Sequence, residues 1–191
     1  MATRIVVAIT GASGSIYGIR LLEVLQELGV ESHVVASPAG IVTLRHETSL
    51  GIADLESRCD VLYRSADIGA AIASGSFRTD GMIVVPCSVR TMSEIASGIT
   101  SSLVSRAADV ILKERRPLVL CVRETPLHAG HLETMARLAN LGAFIAPPVP
   151  AFYTRPQSLD DLVSHTVGRL LDHVGIDNKL VDRWSGTTDA N

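Results

Sequence analysis

The 191-residue sequence predicts a doubly wound α/β fold: a parallel sheet in the middle of three layers, with helices on both faces. Three observations carry this. Short continuous apolar runs of strand length, such as RIVVAI (residues 4–9), GMIVVP (81–86) and PLVLCV (117–122), read as strands buried on both faces. Stretches with helical spacing lie between them, and strand–helix alternation is the signature of parallel strands joined by crossovers. The composition agrees: 47% hydrophobic but only 4% aromatic and 19% charged, with a mean hydropathy of +0.30. A buried sheet covered by helices needs such a composition, and so do apolar faces between subunits.

In chain order, the first strand (4–9) runs into Thr10-Gly11-Ala12-Ser13-Gly14-Ser15 and then a helix. In that helix Ile16, Ile19, Leu22, Leu25 and Leu28 recur at threes, and Gly29 supplies the C-terminal stop. Residues 31–36 (ESHVVA) form a second strand, and Ser37-Pro38 reads as a cap and first-turn proline opening a helix to about Arg45. Residues 47–80 give weaker signals: a short strand near 61–63 and a loop or helix through 70–77. The strand at 81–86 ends in Cys87-Ser88, and helical stretches follow at 91–97 and 101–114. The run Lys113-Glu114-Arg115-Arg116 suits a solvated helix C-terminus, where cations complement the dipole. The next strand (117–122) ends in Arg123-Glu124-Thr125-Pro126, followed by a helix (131–141) and a short strand (143–146). Pro147-Pro148-Val149-Pro150 breaks regular structure. Residues 159–174 then form an amphipathic helix with Leu162, Val163, Val167, Leu170, Leu171 and Val174 on one side. Residues 1–186 are expected to make one domain, and the small polar tail at 187–191 to be disordered.

Several function classes fall away. No apolar run approaches the ~20 residues of a membrane span. With 17 basic and 20 acidic residues, a net charge of −3, the chain lacks the basic excess of a nucleic-acid binder. Three cysteines without CxxC spacing and no signal-peptide pattern point to reduced thiols in the cytoplasm.

In a doubly wound sheet ligands sit beyond the carboxyl ends of the strands. The Gly11 loop, Ser37, Ser88 and the pair Arg123-Glu124 all fall there. Gly11-Ala12-Ser13-Gly14 lets a backbone approach an anion at a helix N-terminus, or is simply a tight turn. Its glycine spacing is not GxGxxG, and Val35-Ala36-Ser37 offers no acidic residue for a dinucleotide ribose, so a mononucleotide such as FMN fits better. Ser88 is either a ligand contact or an ordinary cap, and Cys87 reads as a small buried residue rather than a nucleophile. Arg123-Glu124 is either a structural pair or an anion clamp beside a proton donor. His128 and His131 lack a third ligand at metal spacing, so no metal is expected.

The segments GASGSIYG, ASGSF, PCSVRT, SRAADVILKERRPLVLCVRETP, GAFIAPPVPAFY and RPQSLDDLV, in this order, resemble the flavin prenyltransferase (UbiX-like) family, whose members are also called phenylacrylate decarboxylases. The resemblance runs from about Arg4 to Trp184. It implies a flavodoxin-like or Rossmann-like subunit in a homo-oligomer, typically a dodecamer, with active sites at subunit contacts. It implies transfer of a dimethylallyl group from dimethylallyl phosphate to reduced FMN, closing a fourth ring on the flavin. The prenylated FMN then serves a UbiD-type decarboxylase.

Carried over by position, the flavin contacts are Gly11, Ala12, Ser13, Ser37, Ser88, Val89, Arg90, Thr91 and Arg123. The prenyl phosphate contacts are Arg106, Lys113, Arg123, Tyr153 and Arg169. Ser13, Glu124 and Glu47 are implied catalytic groups, with a neighbouring subunit as one source of Glu47, and Trp184 lies near the site. Glu124 donates a proton only if protonated, which partial burial beside other carboxylates favours. Ser37-Pro38-Ala39 departs from the family's frequent Ser-Lys-Ala, which removes the lysine and keeps the cap. The alternatives are an FMN-dependent cysteine decarboxylase, for which Pro86-Cys87-Ser88-Val89-Arg90-Thr91 replaces the expected Pro-Ala-Ser-Ala-Asn-Thr, and a non-catalytic FMN carrier, which needs no second phosphate site.

Overall fold

The structure is a computed structural model that describes residues 3–181 and 183. Among the described residues the strands are β1 (Arg4–Ile9), β2 (Glu31–Ala36), β3 (Val61–Arg64), β4 (Gly81–Cys87), β5 (Leu118–Val122) and β6 (Phe144–Ile145). All pair in parallel, in the order β3-β2-β1-β4-β5-β6. This is the Rossmann order, which reverses direction between β1 and β4. Every residue of β4 and β5 is buried, as their unbroken apolar runs require.

The helices are α1 (Ser15–Glu27), α2 (Pro38–Thr48), α3 (Ile52–Glu56), α4 (Val89–Ala96), α5 (Leu103–Lys113), α6 (Ala129–Asn140) and α7 (Leu159–His173). Successive strand residues point to opposite faces, and the two cores divide accordingly. Ile5, Val7 and Ile9 pack with α1, α2 and α7. Val6 and Ala8 pack with α4, α5 and α6. The sheet therefore stands between α7 and α5.

Two elements depart from the sequence pattern. In α1 the buried stripe is Ile19, Leu21, Leu22, Val24 and Leu25, while Ile16 and Leu28 are each 43% exposed. A repeat of three lags the 3.6-residue turn and drifts off the core face within two turns. The segment after α2, which the sequence left without a clear helix, holds α3. Its five residues are too few for periodicity, but Gly51 N donates to Asp54 Oδ2 at 2.8 Å and caps it. The only regular structure within 70–77 is a 3-10 turn at Ala71–Ala73.

Past α7 the chain turns at Gly175 and lies back along the helix. Gly168 makes room for it, since a Cβ there would stand 2.5 Å from Val181 Cγ2. Asn178 Nδ2 donates to Gly168 O at 3.1 Å, and Ile176 and Val181 are buried.

Arg115, just past α5, adopts φ 56°, a left-handed conformation that glycine enters without a Cβ penalty. Arg115→Gly is expected to stabilise the chain by about 0.5 kcal/mol, relief of Cβ strain exceeding the added entropy of the unfolded chain. A raised urea midpoint at unchanged slope would show it.

Candidate active site at the carboxyl ends of the strands

Thr10 ties the two strand ends at the point where the strand order reverses. Its buried hydroxyl donates to Pro86 O and accepts from Ser88 N, each at 2.8 Å. Ser37 N donates to Ile9 O at 2.9 Å, and Arg123 N to Cys87 O at 3.1 Å. The four segments singled out in the sequence thus meet in one crevice. Thr10 itself was not singled out; the signal was a hydroxyl at the end of a buried strand, which has to find partners.

Gly11 allows loop contact that a side chain would prevent: a Cβ there would lie 2.5 Å from Ala39 Cβ. Gly14 takes φ 109° at the start of α1. The anion at that helix terminus is the chain's own Glu47, from the last turn of α2. Its Oε2 accepts from Ser15 N at 2.8 Å and Gly14 N at 3.0 Å, with Oε1 3.1 Å from Gly14 N. Partial burial pushes the Glu47 carboxyl up, but hydrogen bonds from the Ser13 hydroxyl and these two amides outweigh it and hold it below the ordinary glutamate value. Ser13 and Glu47 are therefore brought together within one chain. They border an open groove of about 730 Å³ that also contains Ile16, Leu50 and Arg58.

Ser37 caps α2, accepting from Gly40 N at 3.0 Å, with Pro38 in the first turn as expected. Ser88 caps α4, accepting from Thr91 N at 3.3 Å and donating to Thr91 Oγ1 at 3.1 Å. Both serines thus fill the capping role and aim their helix starts at the crevice. Ala12 is buried against these loops and Val89 half-buried; Arg90 is exposed and paired with Glu94 at 2.9 Å. Arg123 is exposed, and its guanidinium has no partner among the described residues. Glu124 Oε1 accepts from Thr125 N at 2.9 Å, and a single chain leaves this side chain exposed. The burial expected to hold its proton is not supplied within one copy.

The five phosphate residues do not meet within one chain. Arg106 and Lys113 lie on α5, where Arg106 Nη1 bonds Asp109 at 3.1 Å and Lys113 Nζ bonds Glu114 at 2.8 Å in the last turn. Tyr153 and Arg169 lie on the other side of the sheet, with α7: Tyr153 Oη is 3.3 Å from His165 Nε2, and Arg169 Nη1 bonds Asp172 at 2.7 Å. Arg123 stands at the end of the sheet between them. Trp184 falls outside the described residues.

The remaining candidates take structural roles. Cys87 is fully buried, and burial pushes its thiol far above the ordinary range, so no thiolate nucleophile is available. His128 and His131 stack with ring centres 3.5 Å apart. Among the described residues no group of three or more metal-binding side chains gathers, and no helix is long and apolar enough to cross a membrane.

The crevice fits a flavin mononucleotide on its own residues. It offers two serine-capped helix starts, a close backbone approach at Gly11 and an unpaired guanidinium at Arg123. β2 ends in Ala36-Ser37 with no carboxylate for a second ribose. Fold and site together define a mononucleotide-binding subunit of the flavoprotein class.

Comparison with known proteins narrows this. A family model described as Flavoprotein matches residues 1–171. Flavin prenyltransferase UbiX of Escherichia coli K12 is 53% identical over 186 residues, covering 96% of this chain and 98% of that one. The crystal structure of AnUbiX (PadA1) in complex with FMN and dimethylallyl pyrophosphate superposes with a TM-score of 0.96 at 46% identity, covering 98% of this chain and 100% of that one. A dodecameric FMN-dependent Ubix-like decarboxylase from E. coli O157:H7 gives 0.93 at 45% identity, covering 96% and 100%. The chain belongs to the flavoprotein family, in the group of the UbiX flavin prenyltransferases.

Proposed function

We propose that this chain is a flavin prenyltransferase, joining the dimethylallyl group of dimethylallyl phosphate to reduced FMN and releasing prenylated FMN. The observation that carries this is the Ser13–Glu47 pair at the mouth of a flavin-sized crevice, with the Arg123 guanidinium left free at the same end of the sheet. Reduced flavin supplies the nucleophilic ring atoms, and the chain supplies everything around them. Ser13, bonded to a carboxylate held ionised, is placed to pass on the proton lost from the flavin nitrogen. Departure of phosphate from an allylic carbon builds charge on the phosphate oxygens, which fixed cations stabilise. In this reading Arg123 meets that phosphate from its own chain. Arg106, Lys113, Tyr153 and Arg169 reach it across contacts in a homo-oligomer, since the sheet parts them within one copy. Glu124, covered by such a contact, donates to the leaving phosphate. The product passes to a UbiD-type decarboxylase in the cytoplasm, a setting supported by three free cysteines.

Anaerobic incubation with reduced FMN and dimethylallyl phosphate, followed by mass spectrometry of the flavin, tests the proposal. A prenyl-mass adduct is expected; FMN retained without an adduct would make the chain a carrier. Glu124→Gln is expected to slow adduct formation by about 10²–10³-fold with FMN affinity unchanged. Loss of FMN instead would reassign Glu124 to structure.

A further inference from the structure

Asp172 occupies the last turn of α7, where a carboxylate faces the negative end of the helix dipole and is disfavoured. Cations hold it there. Arg183 grips it twice, Nη1 to Oδ2 at 2.6 Å and Nη2 to Oδ1 at 2.7 Å. Arg169 Nη1 donates to Oδ2 at 2.7 Å, and Asn178 Nδ2 to Oδ1 at 3.2 Å. The carboxylate is sunk, with its side chain 16% exposed, while the two guanidiniums are 49% and 55% exposed. One negative charge is thus set against two positive ones, leaving an excess that a compact anion would complete. Arginine presents five donors in a rigid fork. Asp172 engages Arg169 through Nη1 and leaves the other donors of that fork for a second anion.

We infer that Asp172 is a positioning residue: it fixes the Arg169 fork for the phosphate of the prenyl donor, and through Arg183 ties that fork to the C-terminal segment lying on α7. This rests on the reading of Arg169 as a phosphate ligand. Fixing a long side chain before the ligand arrives removes an entropic cost of binding. Asp172 touches no substrate; it acts through Arg169. Gly168 belongs to the same device, since only a bare helix surface there lets Asn178 and Arg183 reach the carboxylate.

The test uses the full-length protein and measures binding of inorganic phosphate and of dimethylallyl phosphate by calorimetry, alongside KM and kcat. D172N, which keeps the shape and removes the charge, is expected to weaken phosphate about tenfold and raise the KM for dimethylallyl phosphate about tenfold, with kcat and FMN affinity unchanged. R169A is expected to do the same, and D172N with R169A together to be no worse than R169A alone. D172E should recover part of the loss. R183Q, which leaves the carboxylate charged but releases one side of it, is expected to weaken phosphate about threefold.

If R169A binds phosphate like the wild type, the phosphate reading falls and this inference with it. If R169A is impaired while D172N is not, the reading stands and the inference is overturned. Additive losses in the double variant, or a D172N chain that does not fold, would equally overturn it, because the carboxylate would then act independently of Arg169.

Discussion

Glu47→Ala is expected to slow flavin prenylation by about 10²–10⁴-fold, the range for removing a positioned acid–base partner. The same change strips the acceptor from Gly14 N and Ser15 N at the start of α1, at a cost of about 1 kcal/mol. The two effects separate in Glu47→Gln, whose amide oxygen still accepts a hydrogen bond: stability should largely return while the rate stays low. Prenylation by E47A within tenfold of the wild type would remove Glu47 from the chemistry. The carboxyl is held below its ordinary value in the folded chain. Its stabilising contribution is therefore complete above the unfolded glutamate pKa and fades as pH falls through the lower folded one. Acid titration of stability should accordingly be shallower in E47A than in the wild type.

Gly18→Val should have the largest effect on the fold. Gly18 lies where α1 crosses β1 and β4, and a Cβ there would stand 2.8 Å from Val85 O and 3.2 Å from Ile9 Cγ1. Neither neighbour yields cheaply, one being strand backbone and the other a fully buried side chain. Overpacking of this kind costs about 3 kcal/mol, or about 10 °C in Tm for a chain of this length. The damage extends to the crevice, because Ile9 and Val85 directly precede Thr10 and Pro86, whose bond joins the two site loops. A large loss of FMN affinity should accompany the lower Tm. A variant melting within a degree or two of the wild type would show that α1 has slack against the sheet.

What was legible in the sequence followed burial. β1 and β2 fall on the residues expected of them because both are β-branched runs bounded by turn residues, and β4 and β5 differ by one. The helix caps at Ser37 and the stop at Gly29 were equally local signals, and both appear. α3 was not legible, since five residues cannot show a helical period. The exposure of Ile16 and Leu28 was hidden because both are apolar and spaced by threes, and only the accumulated rotation of α1 turns them outward. In the site, local patterns located the strand-end residues, but not the partner of the Gly14 and Ser15 amides: Glu47 lies more than thirty residues away and reaches them through the packing of α1 against α2. Arg106, Lys113, Tyr153 and Arg169 came only from family resemblance, since no local pattern says on which side of the sheet a cation will stand.

That separation changes what a mutation in this protein means. Where cations for one phosphate are carried on opposite faces of a subunit, each chain lends parts to more than one centre and owns none outright. A defect on the α5 face and a defect on the α7 face then fall on different working sites of the same assembly. In genetic language, two differently damaged alleles can complement one another inside a mixed oligomer, and one damaged allele can spoil centres that contain mostly sound chains. Selection thus acts on the ring of contacts as much as on the fold, holding both outer faces of an otherwise ordinary α/β subunit under the constraint usually reserved for an active-site cleft.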